Sequence, residues 1–341
     1  MRGMYPRQAN RLILLLALLS GLWACSPSNV PLPTTTASPA PTLTLTPLPI
    51  PTLPTAAPTP LICLDEPGQL QTGQVPTNGA ATNFIIYLPP CYAFFAEWHY
   101  PVLYLLNGLP MDQDPASIGT QWLRIGAPAA ADHLIHTGKS APFIMVFPED
   151  RYWNVVQGTL FGQFLVNDII PFVDKNFRTI PDRPHRAIGG LSRGGGWALQ
   201  LNFLHPELFG AVGLHSPAVF QEDRPNLKFW ILNHDPETWP RLYIDSGDND
   251  MERGYNTIME ALFTEYGIPH EWHLNTGEHN EPYWRAHVLE YLVWYAQGFQ
   301  LAGDPLPTPT PTSTFVPSPT LTVEPSSTAT EEPVPSATAT P

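Results

Sequence analysis

Basic residues are scarce in this chain of 341 residues. It has 16 lysines and arginines against 30 aspartates and glutamates, a formal charge of −14 and a pI near 5.1. Nucleic-acid-binding proteins need basic patches to neutralise phosphates, so this balance argues against a nucleic acid as partner. Charged residues make up 13% of the chain and apolar residues 43%. We therefore expect a globular protein with a large core that acts on something other than nucleic acid.

Long apolar runs are also missing. Residues 12–22 are apolar, but a membrane-spanning helix needs about 20 such residues. Three arginines precede this run and Ala24-Cys25 follows it, which is the pattern of a secretory signal. Leu22-Trp23-Ala24-Cys25 resembles a bacterial lipobox, whose cysteine becomes the lipidated first residue. We predict an exported lipoprotein of the bacterial surface, lipidated at Cys25; ordinary secretion and a retained anchor are the alternatives.

Cysteine is rare, with three residues in the whole chain, of which Cys25 belongs to the N-terminal signal. The other two, Cys63 and Cys91, flank the first predicted strands. Exported proteins meet an oxidising environment, so Cys63 and Cys91 are candidates for a disulfide. Two buried free thiols are the alternative.

The 42 prolines lie mostly near the two ends of the chain. Residues 26–60 and 304–341 are rich in Pro, Thr, Ser and Ala, a composition that cannot bury a core and favours extended polyproline geometry. We predict a signal at 1–25, a linker at 26–60, one folded domain at 61–303 and a disordered tail at 304–341. The tail is interpreted as a spacer, with a wall-binding role as the alternative.

Short apolar runs alternate with helical patterns through the predicted domain. The runs at 101–106 and 143–147 are apolar throughout, as in strands covered on both faces. The alternation predicts an α/β fold with a mostly parallel central sheet and helices on both faces. The other predicted strands are 83–88, the start of 186–199, 211–214, 241–244 and 271–274, and the helices are 121–136, 161–177, 197–204, 254–266 and 281–299.

A glycine-rich corner, Gly190-x-Ser192-x-Gly194, joins a predicted strand to a predicted helix. A turn this sharp brings the backbones on either side of the serine together, so the flanking positions need glycine. The amide of Arg193 is left at the start of a helix, where unpaired N–H groups favour an oxyanion. The motif predicts Ser192 as a nucleophile and Arg193 as an oxyanion donor, with a plain turn as the alternative.

A serine hydroxyl is a poor nucleophile at neutral pH and needs a base that an acid orients. In proteins with this elbow, acid and base follow the serine on loops at the ends of strands. His279 follows a predicted strand and precedes the final helix, so it is the predicted base. The acidic loop after 241–244 offers Asp250 as the predicted acid and Asp248 as the alternative, while Asp245 is still close to the strand. Five other downstream histidines are weaker candidates because they lie in or beside predicted elements, namely His205, His215, His270, His273 and His287.

This chemistry requires no metal or cofactor. The acidic loop has aspartates at 245, 248 and 250, but it lacks the sixth-position glycine and twelfth-position glutamate of an EF-hand. The segment 270–273 has its two histidines three residues apart on a predicted strand, which is not the HExxH spacing of a zinc protease.

Taken together, several motifs resemble the esterase family of α/β-hydrolases, which includes feruloyl and acetylxylan esterases, S-formylglutathione hydrolase, enterochelin esterase and the antigen 85 mycolyltransferases. The resemblance covers most of residues 83–299 and is carried by 103–109, 177–178, 190–195, 205–212, 277–279 and 283–284. It implies an α/β-hydrolase fold, with Ser192 as nucleophile, His279 as base and Asp250 as acid. It also implies that the second oxyanion amide is that of Leu109.

The chain departs from the pattern of this family on both sides of Leu109. Many members have His-Gly where Asn107-Gly108 stands here, and the mycolyltransferases have Asp and Arg where this chain has Asn107 and Pro110. We expect an exported serine carboxylic-ester hydrolase that acts on acylated polysaccharide or other extracellular esters and meets the membrane only through its lipid anchor. The alternatives are an acyltransferase that passes the acyl group to a sugar and a non-catalytic surface binding protein.

Overall fold

The computed structural model describes residues 62–76, 82–109, 119–150 and 160–299. The predicted signal with Cys25, the linker and the C-terminal tail lie outside the described residues. None of the helices in these described ranges combines the length and the apolar character that crossing a membrane requires.

Within the described residues, eight strands form one sheet in the order β1-β2-β4-β3-β5-β6-β7-β8. The pairs β1–β2 and β2–β4 are antiparallel, whereas β3 to β8 pair in parallel with one another. The prediction of a mostly parallel sheet is confirmed. The strands are β1 Gln69–Val75, β2 Thr82–Leu88, β3 Val102–Leu106, β4 Ile144–Pro148, β5 Arg186–Leu191, β6 Ala211–His215, β7 Arg241–Gly247 and β8 Glu271–Asn275.

Helices cover both faces of this sheet. Every residue of β3 is buried; Tyr104 faces a core shared with α5 and α7, and Leu105 faces a core shared with α2 and α8. Burial on both faces explains why β3 is apolar throughout. The helices are α1 Gln121–Arg124, α2 Ala127–His136, α3 Leu160–Phe164, α4 Ile170–Asn176, α5 Arg193–Leu204, α6 Leu227–Asn233, α7 Arg253–Glu265 and α8 Glu281–Ala296.

The helix predicted at 161–177 is interrupted. A π-helical stretch, Leu165–Ile169, separates α3 from α4. Pro171 follows it in the first turn of α4. Proline has no N–H to donate and its ring crowds the preceding turn, so the helix widens before it.

Two elements, β1 and α6, have no counterpart in the prediction. Six of the seven β1 residues are at least partly exposed, and its sequence is mostly polar. An edge strand of this kind lacks the apolar run that identifies a buried strand. The seven residues of α6 are too few to show a helical period clearly.

Two facing glycines make room for one tyrosine. Gly189 of β5 and Gly213 of β6 are directly paired. A Cβ atom at either position would overlap the hydroxyl group of Tyr295, which is fully buried. The tyrosine of α8 can therefore lie directly on the sheet.

Cys63 and Cys91 form a disulfide. It joins the 3₁₀ turn Ile62–Leu64 to the turn that follows β2. The predicted pairing of the two cysteines is thus present, at the β1–β2 edge of the sheet.

Candidate active site

Ser192 stands between β5 and α5 in a strained backbone conformation. Its φ of 52° and ψ of −117° lie outside the regions that side-chain-bearing residues normally adopt. The Ser192 N–H donates to the carbonyl of His215 at 2.9 Å. A Cβ at Gly190 would overlap the backbone of Gly194, and a Cβ at Gly194 would overlap the carbonyl of Leu106. Both glycines of the motif are therefore required by close backbone approach.

The loop between β8 and α8 brings His279 to this serine. His279 Nε2 lies 2.7 Å from Ser192 Oγ. His279 Nδ1 lies 2.9 and 3.0 Å from the two carboxylate oxygens of Asp250, which follows β7. With Nδ1 protonated, His279 donates to Asp250 and accepts from the serine hydroxyl. The structure thus brings Ser192, His279 and Asp250 into one chain of hydrogen bonds.

The Asp250 carboxylate is fully buried in this arrangement. The N–H of Glu252 also donates to its Oδ1, at 2.7 Å. Burial raises the pKa of Asp250, but the hydrogen bonds from His279 and Glu252 outweigh it, so its pKa lies below the usual 3.8. Asp250 therefore remains an ionised acceptor for His279 at neutral pH.

Asp248 occupies a different place. Its side chain is exposed, and its Oδ1 accepts from the backbone N–H of Gly277 at 3.0 Å. Geometry therefore favours Asp250 over Asp248 as the partner of His279.

The loop after β3 lies against the serine. A Cβ at Gly108 would come within 3.2 Å of Ser192 Cβ. The Gly108 N–H donates to Gln121 Oε1 at 2.7 Å, and the Gln121 N–H donates to Asn107 Oδ1 at 3.0 Å. These reciprocal bonds fix the segment that ends in Leu109. The motif gives no signal for Gln121, so the sequence does not predict its role.

A cavity of about 350 Å³ opens beside this loop, and both predicted oxyanion residues, Leu109 and Arg193, line it. The guanidinium group of Arg193 donates to Asp150 Oδ2 at 2.9 Å. It also lies 5.5 Å from the ring of Trp197 and 5.4 Å from that of Phe220. The cavity therefore combines an aromatic wall with charged groups, and the remaining lining residues are Ala218, Val219, Gln221, Glu222, Arg224 and Glu252.

A second acid and histidine lie beneath the site. Asp245 and His215 are fully buried, and His215 Nδ1 lies 2.8 Å from Asp245 Oδ1. The hydroxyls of Tyr283 and Tyr291 donate to Asp245 Oδ2 at 2.6 and 2.8 Å. The sequence does not predict the contact between Asp245 and His215, because nothing in the local pattern shows that distant polar side chains meet in the core. Within the described ranges, no cluster of three or more His, Cys, Asp or Glu side chains is arranged to hold a metal ion.

A serine elbow at the carboxyl edge of a mostly parallel sheet, with an acid and a histidine on later loops, defines the α/β-hydrolase class. The family model for esterases matches residues 76–295, more than half of the chain. The chain belongs to this esterase family.

Curated relatives match part of the chain. It is 31% identical over 197 residues to an "Endo-1,4-beta-xylanase/feruloyl esterase" of Xylanibacter ruminicola, covering 54% of this chain and 25% of that protein. It is 29% identical over 200 residues to "Esterase Rv1288" of Mycobacterium tuberculosis, covering 52% of this chain and 42% of that protein. The chain thus spans less than half the length of these relatives.

Solved structures show the same fold. A ferulic acid esterase superposes with a TM-score of 0.59 at 22% identity, covering 69% of this chain and 100% of that one. An S-formylglutathione hydrolase from Staphylococcus aureus gives a TM-score of 0.53 at 16% identity, covering 68% and 98%. The α/β-hydrolase fold expected from the resemblance is confirmed.

Proposed function

We propose that this protein is a serine carboxylic-ester hydrolase. The observation that carries the proposal is the continuous hydrogen-bond chain from Ser192 Oγ through His279 to Asp250, with contacts of 2.7 and 2.9 Å. These distances are those of a nucleophile within reach of its base and a base held by its acid. Membership of the esterase family supports the same reaction class.

In the first half of the reaction, Ser192 Oγ attacks the ester carbonyl carbon and its proton passes to His279 Nε2. Negative charge develops on the carbonyl oxygen, and the backbone N–H groups of Arg193 and Leu109 donate hydrogen bonds to it. The intermediate collapses when His279 returns the proton to the departing alcohol oxygen, which leaves an acyl-serine ester. Asp250 holds the imidazole in the required tautomer and stabilises its positive charge.

In the second half, water attacks the acyl-serine. His279 removes a proton from the water, the oxyanion forms again at the same amides, and the proton then returns to Ser192 Oγ. The carboxylic acid is released and the serine is regenerated. Each half therefore uses His279 first as a base and then as an acid.

The substrate is proposed to be an extracellular ester with an aromatic acyl group, such as an acylated plant polysaccharide. The cavity volume of about 350 Å³ lies in the range typical of small-molecule sites. The half-buried ring of Phe220 on its wall suits a planar acyl group. Names of relatives that include feruloyl esterase support this choice.

The test compares the wild-type protein with Ser192→Ala on aryl esters from acetate to octanoate and on methyl ferulate. Ser140→Ala, a serine after α2, is the matched control. We expect the wild-type protein and Ser140→Ala to hydrolyse methyl ferulate equally well. In Ser192→Ala we expect kcat to fall by at least about 10³-fold. Activity that survives in Ser192→Ala would refute the serine mechanism, and acyl transfer to added sugar without free acid would favour an acyltransferase.

Export, with lipidation at Cys25, is part of the same proposal. The Cys63–Cys91 disulfide supports an oxidising compartment. The folded unit at 61–303 would then be separated from the anchor by the Pro/Thr-rich linker 26–60. Metabolic labelling with a fatty acid tests this: the label should enter the wild-type protein and be absent from Cys25→Ser.

A further inference from the structure

The buried Asp245 carboxylate lies on or contacts three elements, β7, β6 and α8, each of which adjoins one of the proposed catalytic residues. Asp245 itself lies on β7, whose following loop carries Asp250. The imidazole of His215, on β6, is hydrogen-bonded to Asp245, and the backbone carbonyl of His215 accepts a hydrogen bond from the N–H of Ser192. Tyr283 donates to Asp245 from the first turn of α8, directly after His279.

The contacts of Tyr283 are directed at the loop that carries His279. A Cβ at Gly277 would strike the ring of Tyr283, so the loop backbone rests on this ring. Asn275 Nδ2 lies 3.4 Å from the Tyr283 hydroxyl, and the Tyr283 N–H donates to Asn280 Oδ1 at 3.1 Å. The Tyr283 side chain therefore contacts the loop on the β8 side of His279, at Asn275 and Gly277, and the Tyr283 backbone N–H holds Asn280 on the other side.

Tyr291 makes the same hydrogen bond without these loop contacts. It donates to the same oxygen atom, Asp245 Oδ2, at 2.8 Å, compared with 2.6 Å for Tyr283. It lies about two turns further along α8, where its ring stacks on His215 at 3.8 Å. Burial and the nearby Asp245 raise the pKa of both tyrosines, so both remain protonated donors.

We infer that Tyr283, anchored on the Asp245 carboxylate, is a positioning residue that holds the His279 loop in the geometry the reaction needs. The inference rests on the proposed function. A catalytic histidine displaced by 1 Å loses much of its effect, so the contacts that fix this loop bear directly on the rate. Asp245 is a poor position for a test, because removing a buried carboxylate strands three polar groups in the core.

The experiment compares Tyr283→Phe with Tyr291→Phe, since each substitution removes one hydrogen bond to the same oxygen. Both should lower Tm by a similar few degrees, about 2–6 °C. Tyr283→Phe should lower kcat on an aryl ester by about 10-fold or more with KM within about twofold. Tyr291→Phe should keep both parameters within about twofold of wild type.

Wild-type protein and Ser192→Ala are measured alongside. If Ser192→Ala is inactive and the two phenylalanine variants have equal kcat, the positioning role is overturned while the proposed function stands. If the wild type shows no ester hydrolysis, or Ser192→Ala retains it, both the proposed function and the role of Tyr283 are overturned. A fall in kcat that follows Tm equally in both variants also counts against positioning.

Discussion

The Asp248 carboxylate accepts a hydrogen bond from the backbone N–H of Gly277 at 3.0 Å. This bond joins the loop after β7 to the loop after β8, but it does not reach the imidazole of His279. Asp250, two residues later, makes that contact at 2.9 Å. The two aspartates of this loop thus make different contacts: Asp248 braces the loop, and Asp250 contacts the proposed base.

Asp250→Asn is therefore expected to lower kcat by about 10³–10⁴-fold, because an amide can hold the imidazole in the wrong tautomer. Asp248→Asn should stay within about 10-fold of wild type, since its amide oxygen can still accept from Gly277. Steady-state kinetics on an aryl ester at pH 8 measures both. The reverse ranking of the two variants would make Asp248 the acid.

Gln121→Ala should lower kcat by about 10-fold or more, because the Gly108 N–H loses the acceptor that fixes the segment before Leu109. KM should change little, since Gln121 does not line the cavity. Ser140→Ala is again the control, expected to keep wild-type kcat. Binding of a boronic acid, which forms a tetrahedral adduct with a serine, should weaken in parallel with kcat in Gln121→Ala. Equal boronate affinity in wild type and Gln121→Ala would contradict the role of Gln121.

Asp223→Asn should stabilise the protein at neutral pH. Burial raises the pKa of Asp223 to about 6, from a usual 3.8. A carboxyl whose folded-state pKa is raised contributes fully to the free energy of unfolding below about pH 4, where it is protonated. That contribution is lost as the pH rises through 6. Asparagine carries no charge and could donate to Gln200 Oε1, which has no partner among the described residues. The stability difference should grow from about zero at pH 4 to roughly 1–3 kcal/mol at pH 8.

Urea unfolding at the two pH values measures the Asp223 effect. Asp65→Asn is the control, because Asp65 is exposed and its replacement should leave stability unchanged at both pH values. A gain for Asp223→Asn that is equal at pH 4 and pH 8 would rule out the buried charge as its cause.

Removal of the disulfide should lower stability without lowering kcat. Cys63 and Cys91 are 28 residues apart in sequence, and the chain-entropy model gives about 3–4 kcal/mol for a closed loop of this size. The bond lies at the β1–β2 edge of the sheet, whereas the serine, acid and histidine follow β5, β7 and β8. The double variant Cys63→Ser/Cys91→Ser should therefore unfold at lower urea yet keep wild-type kcat at 25 °C. A loss of kcat in the folded double variant would show that this edge is coupled to the site.

The parts of the fold that sequence reasoning predicted are those with a local signature. The apolar run of β3 and the glycine spacing around Ser192 each report a strand or a turn within a few residues. β1 was missed because its polar residues are exposed at the sheet edge. The choice between Asp248 and Asp250 depends on the path of one loop, which spacing does not determine.

The buried hydrogen bonds of Asp245 with His215 and Tyr291 could not be predicted from the sequence, for a different reason. Asp245 and His215 are 30 residues apart, and Tyr291 lies a further 46 residues beyond Asp245. Periodicity identifies which positions are buried, but it carries no information about which buried polar groups meet. Only the packing of α8 on β6 and β7 brings these three side chains together.

The contact between Tyr295 and the facing glycines of β5 and β6 constrains how this sequence can evolve. An alanine at Gly189 or Gly213 is blocked for as long as a tyrosine hydroxyl fills the space above both. Loss of the hydroxyl alone does not open that space, because Tyr295 Cζ would still lie 2.8 and 2.6 Å from Cβ atoms at Gly189 and Gly213. A smaller side chain at 295 would open it and give up the hydrogen bond to His215. The three positions are therefore epistatic: mutations at either glycine become tolerable only after position 295 has changed, so the order of substitutions is fixed by geometry.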